Sequence, residues 1–354
     1  MGAARRVNAS LAGRGARTSL ETRLKAQAFG LGFDLAGIAA LGPADSAHAF
    51  DAWLARGYAG EMRYLEGAGA ELRRDSTRPA PGMRSALVVG LNYGGTQPSG
   101  PVARYARGGD YHVVIRAKLE AIGRWLALES RVRARTRAFV DTGPVLERDL
   151  ARRAGLGWFG KNTNLIHPRI GSFFFLGALF TDLDLAPDAP FEADRCGRCS
   201  RCLDACPTHA FVAPRVLDAT RCISYLTIEL KGAIPLALRA AMGELLYGCD
   251  ICQDVCPWNV RFSRDAAEPA FAPRPDRASP DAEELLRLDE TAWRERFAAT
   301  AMSRARRRGL ARNAAVALGN RRDPAAIPAL TAAARDDSEP LVREHAAWAL
   351  EQFR

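Results

Sequence analysis

The chain has 354 residues, with 50 lysines and arginines against 40 acids, for a formal net charge of +10. Nearly half of the residues are apolar and a quarter are charged, which is typical of globular proteins. The length accommodates two or three domains with cores of their own. The best candidate for a membrane span, Ile170 to Phe180, is too short to cross a bilayer and predicts a buried strand. The composition therefore excludes a membrane-spanning helix.

Residues 1–17 form a basic tail that contains Arg5 and Arg6 and no acid. No apolar segment follows this arginine pair, as an export signal would require. We therefore interpret the segment as a flexible tail. Clustered thiols without a secretion signal predict a reducing compartment, which indicates the cytoplasm.

Residues 18–185 alternate strand-like and helix-like patterns and predict an α/β or α+β domain that holds a cofactor. Ser85 to Tyr93 is a β-rich apolar run, whereas Asp110 to Glu129 repeats apolar residues at helical spacing. Asp141 follows a predicted strand and precedes a turn. Burial would raise the pKa of a carboxyl in this position and make it a general acid, with helix capping or turn formation as the structural alternative.

All eight cysteines lie between residues 196 and 256, within a predicted ferredoxin-like insert at 186–262. One run has the spacing C-x2-C-x2-C-x3-C-P from Cys196, and a second has C-x2-C-x3-C-P from Cys249, with Cys222 between them. This spacing is typical of two [4Fe–4S] clusters. Structural zinc favours paired C-x2-C knuckles, and disulfide scaffolds are usually short secreted chains, so both alternatives are disfavoured.

In two-cluster ferredoxins the fourth cysteine of each run ligates the other cluster. We therefore assign one cluster to a first thiol set and the other to a second thiol set. The first thiol set is Cys196, Cys199, Cys202 and Cys256. The second thiol set is Cys206, Cys222, Cys249 and Cys252. Because Cys222 belongs to a segment that continues through Tyr225, we expect the second cluster to lie nearer the cofactor.

Residues 263–285 are rich in proline, alanine and charge and are predicted to form a linker. Residues 286–354 are predicted to form a helical domain in which the pattern AAVAL at 314–318 recurs as AAWAL at 346–350, as in HEAT-like repeats. Arginines crowd the start of this domain. The predicted phosphate contacts are Arg306, Arg307, Arg308 and Arg312.

Taken together, these motifs resemble the epoxyqueuosine reductase family from about residue 20 to the C-terminus. The segments that carry the resemblance are 104–112 (RYARGGDYH), 140–145 (VDTGPV), 160–163 (GKNT), 171–177 (GSFFFLG), 222–229 (CISYLTIE), both cysteine runs and the HEAT-like tail. The resemblance implies reduction of epoxyqueuosine to queuosine at the wobble position of tRNA. It also implies base-off cobalamin as the redox centre, electrons delivered by two [4Fe–4S] clusters, and Asp141 as the proton donor.

Asp110-Tyr-His112 lacks the glycine of the Asp-x-His-x-x-Gly motif that provides a lower cobalt ligand, so His112 is expected to line the pocket or to pack. The other predicted cofactor-pocket residues are Tyr64, Arg104, Tyr105, Lys161, Asn162, Ser172 and Tyr225. Expected partners are a tRNA anticodon stem-loop and a reducing electron donor, with the chain itself a monomer and no membrane contact. The alternative functions are a reductive dehalogenase, or a non-catalytic ferredoxin-like electron donor with a helical binding tail.

Overall fold

The computed structural model describes residues 18–130 and 132–354. The predicted basic tail at 1–17 lies outside the described residues. The first part of the chain contains five helices of more than one turn and a sheet, with two further short strands. The helices are α1 (Leu20–Gly30), α2 (Ala47–Ala55), α3 (Ala68–Arg74), α4 (Tyr111–Glu129) and α5 (Glu147–Arg153). The strands are β1 (Leu35–Ala40), β2 (Ser85–Asn92), β3 (Thr136–Phe139), β4 (Trp158–Phe159), β5 (Leu165–Ile166) and β6 (Phe174–Thr181).

The main sheet has the strand order β1-β2-β6-β3, and every neighbouring pair is antiparallel. The domain is therefore α+β, the second of the two predicted arrangements. All eight residues of β2 are buried because helices cover both faces of the sheet. Leu87 and Val89 pack in one core with Ile115 of α4, whereas Val88 packs in another core with Leu150 of α5. This layering predicts the continuous apolar run that β2 shows.

The cysteine-containing part, 186–262, consists of loops and short elements. These are α6 (Arg201–Asp204), β7 (Phe211–Ala213), β8 (Val216–Leu217), α7 (Ile223–Ile228), α8 (Leu236–Arg239), α9 (Ile251–Asp254) and α10 (Pro257–Phe262). Each cysteine-proline pair ends a turn of helix, and Pro257 occupies the first turn of α10, where its missing N–H costs nothing. These loops and short elements occupy the stretch that was predicted to be a ferredoxin-like insert.

Residues 263–285, predicted to be a linker, pack against the first domain over much of their length. Phe271 is 3% exposed and joins the core formed by α4 and the sheet. The Arg277 guanidinium donates to the carbonyl of Gly108 at 2.8 Å, and the Asn92 amide donates to the carbonyl of Asp265 at 2.7 Å. A Pro- and Ala-rich composition therefore does not leave this segment free, because buried contacts fix it.

The C-terminal part is helical. Its helices are α11 (Pro275–Ala278), α12 (Ala282–Arg287), α13 (Glu290–Phe297), α14 (Arg306–Arg321), α15 (Ile327–Asp336) and α16 (Pro340–Glu351). α14 packs against α12 and α16 and is buried continuously from Gly309 to Gly319. Its alanines and glycines allow this close packing: a Cβ on Gly319 would lie 2.8 Å from the Cα of Ala349. The repeated alanine pattern is therefore a helix-packing motif.

Arg312 lies in the middle of α14 and is 1% exposed. Its guanidinium donates to the carbonyls of Leu226 at 2.5 Å, Leu230 at 2.9 Å and Gly232 at 2.8 Å. Burial lowers the pKa of Arg312 to about 10. The prediction that Arg312 contacts a phosphate is wrong for this structure, because its donors bind carbonyls of α7 and of the segment just after it.

None of the helices in residues 18–130 and 132–354 is both long enough and apolar enough to cross a membrane.

Replacing Arg312 by Met should lower the free energy of unfolding by about 3 kcal/mol or more, because three buried carbonyls lose their donor. Urea unfolding followed by circular dichroism measures this. Arg321→Met on the same helix is the matched control, because Arg321 forms an exposed ion pair with Glu244 that contributes less than about 1 kcal/mol. Equal losses for the two variants would contradict the role given to Arg312.

Candidate active site and thiol sets

The first thiol set surrounds a cavity of about 330 Å³ that all four cysteines line. No three His, Cys, Asp or Glu side chains of the described residues converge closely enough to hold a single metal ion. The four thiols are spread around a space, an arrangement that fits a multi-iron cluster. Burial and the neighbouring thiols Cys256 and Cys196 raise the pKa of Cys202 to about 11. Bound iron would be needed to keep Cys202 as a thiolate.

Each of the four cysteines of the second thiol set is partly buried. Burial, with Cys222 and Cys206 close by, raises the pKa of Cys249 to about 12. The pKa of Cys252 is raised by burial and by the neighbouring thiols of Cys249, Cys222 and Cys202. Cys202 belongs to the first thiol set, so the two sets are neighbours. The grouping inferred from spacing is thus consistent with the way the thiols lie together.

A second, larger cleft of about 620 Å³ opens in the first domain. Three predicted pocket residues line it, namely Tyr64, Tyr105 and Ser172. Asp141 lines it too, and aromatic side chains provide much of its wall. Besides Tyr64 and Tyr105, those aromatic residues are Trp53, Tyr93, Tyr111, Phe159, Phe174 and Phe175. None of the described residues that line the cleft is a histidine. The sequence therefore identified the cleft but only part of its lining.

Four other predicted pocket residues lie elsewhere and hold the thiol loops. The Lys161 amine donates to the carbonyls of Gly197 at 2.8 Å and Cys199 at 2.9 Å, and the Asn162 amide donates to the carbonyl of Cys252 at 3.3 Å. Lys161 and Asn162 line the first-thiol-set cavity instead of the cleft. For these two residues the predicted contact with the cleft is corrected, because their donors face backbone carbonyls of the cysteine loops.

Arg104 and Tyr225 are corrected for a similar reason. Arg104 is 5% exposed and pairs with Asp250 at 3.1 Å and Asp254 at 2.5 Å, which flank Cys252. The Tyr225 hydroxyl is buried and accepts the backbone N–H of Glu61 at 2.8 Å. Neither residue lines the cleft, so both are loop and domain contacts.

Asp141 lies at the end of the segment after β3 with φ of 54°, a left-handed conformation that a non-glycine residue rarely adopts. Its carboxylate accepts a hydrogen bond from the Tyr111 hydroxyl at 2.8 Å, and the His112 ring nitrogen Nε2 lies 3.4 Å from it. The other ring nitrogen of His112 lies 2.7 Å from Asp110. The N-terminus of α4 thus brings a phenol and an imidazole to Asp141, and strain of this kind is often found at functional sites.

The acid–base properties of this group differ from the sequence-based expectation. Desolvation raises the pKa of Asp141, but the hydrogen bonds from His112 and Tyr111 outweigh it, and the pKa is lowered from its usual value. Burial lowers the pKa of His112, but Asp110 and Asp141 outweigh it and raise the pKa to about 9. At neutral pH the carboxyl is therefore ionised and the imidazole carries the proton.

Glu147, in the first turn of α5, is a site residue that sequence reasoning missed. Its carboxylate oxygen Oε1 accepts the backbone N–H of Asp141 at 2.7 Å, and the side chain lines the cleft. Desolvation and the nearby charge of Asp141 raise the pKa of Glu147 to about 8. An acid in the first turn of a helix is ordinary, because it complements the helix dipole, so the sequence carried no separate signal.

A basic patch, which we call the rim patch, adjoins the cleft. It consists of Lys231, Arg304, Arg306 and Arg308. The Arg304 guanidinium lies 5.3 Å from the ring centroid of Tyr64 and pairs with Glu229 at 2.9 Å. Burial and the charges of the three arginines lower the pKa of Lys231, although Glu229 acts in the opposite direction. The four cations of the rim patch therefore lie close together.

Arg307, predicted to be part of the same basic group, instead pairs with Asp337 through both terminal nitrogens, and its side chain is 11% exposed. Its guanidinium also donates to the carbonyl of Leu288 at 2.8 Å. The prediction that Arg307 contacts a phosphate is therefore corrected, because its donors are used within the helical part.

Three family models match the chain. The model described as 4Fe-4S double cluster binding domain matches residues 195–259, and the HEAT repeats model matches residues 297–354. The model described as epoxyqueuosine reductase QueG, DUF1730 matches residues 73–142, which include Asp141 and the start of α4. The chain thus carries a double-cluster iron–sulfur domain and HEAT repeats, as predicted.

The epoxyqueuosine reductase of Pseudomonas aeruginosa is 43% identical over 340 residues, which cover 90% of this chain and 91% of the relative. The epoxyqueuosine reductase of Escherichia coli K12 is 40% identical over 344 residues, covering 94% and 89%.

Solved structures agree with these relatives. A crystal structure of epoxyqueuosine reductase with a tRNA-Tyr epoxyqueuosine-modified stem loop has a TM-score of 0.85 and 34% identity, covering 94% of this chain and 90% of that chain. The Bacillus subtilis enzyme, with its catalytic aspartate loop swung out of the active site, has a TM-score of 0.86 and 33% identity at the same coverage. The chain therefore belongs to the epoxyqueuosine reductase family and is an oxidoreductase.

Proposed function

We propose that this protein reduces the epoxide of epoxyqueuosine to the alkene of queuosine at the wobble position of tRNA. The observation that carries the proposal is Asp141, which lines a large cleft beside the second thiol set and is paired with His112 behind it. The net reaction consumes two electrons and two protons and releases one water. The site must therefore accept electrons one at a time, deliver protons and hold a nucleotide.

Cobalamin is the proposed resident cofactor of the cleft, and the residues present fit it. The aromatic wall suits a flat macrocycle, and Tyr64, Tyr105 and Ser172 are the predicted residues that would contact it. The absence of histidine from the described lining suits a base-off form without a protein imidazole on the metal. When bound, cobalamin would supply reducing equivalents to the epoxide carbon.

We propose that the proton delivered to the epoxide oxygen comes from the pair formed by Asp141 and His112. Water in the open cleft stabilises the separated charges of a carboxylate and an imidazolium. A bound cofactor and substrate would exclude that water, and a neutral pair would then be favoured because burial penalises charge. His112 would give its proton to Asp141, which would protonate the departing epoxide oxygen. In this proposal Asp141 has the donor role that the family resemblance implies, and His112 is the proton store.

We propose that electrons pass from the first thiol set through the second thiol set to the cleft. One electrostatic effect and one contact support this order. Burial raises the pKa of Tyr93, a cleft residue, and the nearby Asp250 and Cys252 raise it further. The Gln253 amide, next to Cys252, donates to the hydroxyl of Ser172 at 3.0 Å, and Ser172 also lines the cleft. Thiol clusters of this kind need a reducing compartment, so we assign the enzyme to the cytoplasm.

The rim patch is the proposed phosphate-binding surface for the tRNA. Arg306 is exposed, Arg308 is half-buried, and neither forms an ion pair with a residue in the described part of the chain. Tyr64 connects this patch to the cleft, since Arg304 stacks on one side of it and its ring lines the cavity. Phosphates on the patch would leave the wobble nucleotide free to leave the stack and enter the cleft.

Asp141→Asn should retain cobalamin and both clusters but lose turnover by about 100-fold or more, because an amide cannot donate a carboxylic proton. Anaerobic incubation with cobalamin, a reductant and an epoxyqueuosine-containing stem-loop, followed by nucleoside mass spectrometry, measures queuosine. Iron content and cobalamin absorbance are the controls. Normal turnover in this variant would remove Asp141 from the mechanism, and no queuosine from the unaltered protein would remove the function.

Glu147→Gln should stabilise the protein relative to the unaltered chain at high pH and not at low pH. The folded-state pKa of about 8 exceeds the ordinary value of 4.5, so the unaltered protein loses stability as pH rises through this window. The amide keeps an acceptor for the Asp141 N–H but does not ionise. The difference in melting temperature should therefore grow between pH 5 and pH 9.

The Asp141→Asn background provides a matched control for Glu147, because removing the Asp141 charge should shrink that pH-dependent difference. If the difference in melting temperature between Glu147→Gln and the unaltered protein stays constant across this pH range, Glu147 does not titrate as proposed.

Arg306→Ala/Arg308→Ala should weaken tRNA binding and make the slope of log affinity against log salt shallower by about 1.5, at roughly 0.7–0.9 for each lost phosphate contact. Filter binding of the stem-loop between 50 and 200 mM salt measures this. Arg335→Ala, an exposed arginine paired only with its neighbour Asp336 among described residues, is the control. Unchanged affinity and slope would contradict the assignment of the rim patch.

A further inference from the structure

A second group of arginines surrounds the opening of the first-thiol-set cavity, and we call it the entry patch. It consists of Arg195, Arg198, Arg201 and Arg261, all exposed. Arg195 and Arg261 line the cavity itself, and the other two lie on the loop and helix that carry Cys199 and Cys202. None of the four forms an ion pair with a residue in the described ranges.

The acids nearest in sequence are mostly engaged with other partners. Asp194 pairs with Arg215 at 2.6 Å, and Asp204 accepts a hydrogen bond from the Ser200 hydroxyl at 2.7 Å. Glu192 is exposed and has no such contact among the described residues. The four arginines outnumber the two acids that have no cationic partner in the described part of the chain, Glu192 and Asp204, so the entry patch keeps a net positive charge that faces solvent.

The middle of this surface is apolar. Val260 of α10 is 71% exposed and Pro257 is exposed, while Trp258 and Phe262 line the cavity beside them. The Arg261 guanidinium lies 5.2 Å from the ring centroid of Phe262. An apolar centre with a charged rim is the usual composition of a protein-binding surface.

The position of this surface relative to the two thiol sets indicates what would bind there. The first-thiol-set cavity opens here, whereas Gln253, next to Cys252 of the second thiol set, meets Ser172 of the cleft. A donor that docks on the entry patch therefore lies beside the first cluster, and the second cluster lies on the side of the cleft. The rim patch shares no residue with the entry patch, so a tRNA bound at the cleft would leave this surface open.

We propose that the entry patch is the docking surface for an acidic, one-electron carrier protein that reduces the first cluster. This rests on the proposed function only in treating the clusters as the electron supply of the cleft. Each encounter oxidises the donor by one electron and reduces the cluster by one, and two encounters supply the two electrons of one epoxide reduction. Opposite charge on the two surfaces would speed association of a complex that must also separate quickly.

The test uses the cluster-loaded protein and follows bleaching of cluster absorbance by stopped flow under anaerobic conditions. The probe donor is a reduced flavodoxin, an acidic flavin protein. Arg198→Glu/Arg201→Glu should slow cluster reduction by about tenfold or more at low salt, and the difference should narrow as salt rises. Reduced methyl viologen, a small cation that needs no docking surface, should reduce variant and unaltered protein at similar rates.

Two further variants control for the change in net charge and for loss of iron. Arg116→Glu/Arg124→Glu makes the same charge change on exposed positions of α4 and should leave the flavodoxin rate unchanged. Arg261→Glu changes the entry patch from α10, away from the cysteine loop, and covers the case in which the double variant loses iron. Equal flavodoxin rates in iron-replete variants and unaltered protein would overturn the proposal.

The affinity of the entry-patch variants for the stem-loop distinguishes a protein-docking surface from a nucleic-acid-binding surface. A drop in affinity with unchanged flavodoxin rates would make the entry patch a nucleic-acid surface instead. Cluster bleaching requires no epoxyqueuosine. The docking proposal can therefore be tested even if the protein forms no queuosine and the proposed function is wrong.

Discussion

The eight thiols lie on loops and on or next to helices of four to six residues, of which α7 alone buries most of its side chains. Their geometry therefore depends on polar contacts from the two flanking domains. From the first domain, Lys161 donates to the Gly197 and Cys199 carbonyls. From the helical part, Arg312 donates to one carbonyl of α7 and to two carbonyls of the segment after it. Because leaving a buried polar group unpaired is costly, these contacts fix the loops firmly. A fixed spacing between clusters and cleft is what electron transfer through them would require.

This dependence explains which parts of the structure the sequence predicted. Ligand spacing is local, so the cysteine runs, the helical repeat and the strand at 85–93 could be identified from the chain alone. The sheet order β1-β2-β6-β3 could not, because it joins segments far apart in sequence. Lys161, Asn162, Arg104 and Tyr225 stood in recognisable motifs, but residue type does not show whether a donor faces a cofactor or a loop carbonyl. Here all four face the protein.

Asp141 shows the same limit at the level of acidity. Burial at a strand end predicted a raised pKa, and burial does act in that direction. The hydrogen bonds from Tyr111 and His112 reverse the result, and both donors lie about 30 residues upstream on α4. In the proposed mechanism, proton delivery therefore depends on both Asp141 and His112 and on whether water fills the cleft around them. A carboxylate that is ionised in an open cleft can become an acid once a ligand excludes water, because its partner already carries the proton.

One helix connects the proposed substrate surface to the iron–sulfur part. α14 has 16 residues and a length of about 24 Å, and it begins at Arg306 in the rim patch. Its positive helix end adds to the attraction of the patch for phosphate. Near its middle, Asn313 donates to the carbonyls of Thr227 at 2.8 Å and Leu246 at 2.9 Å, in the segments that follow Cys222 and precede Cys249. The same rigid element would thus fix both the position of a bound tRNA and the loops of the second thiol set. Since α14 is buried by its neighbours along most of its length, neither end can shift without disturbing the helical core.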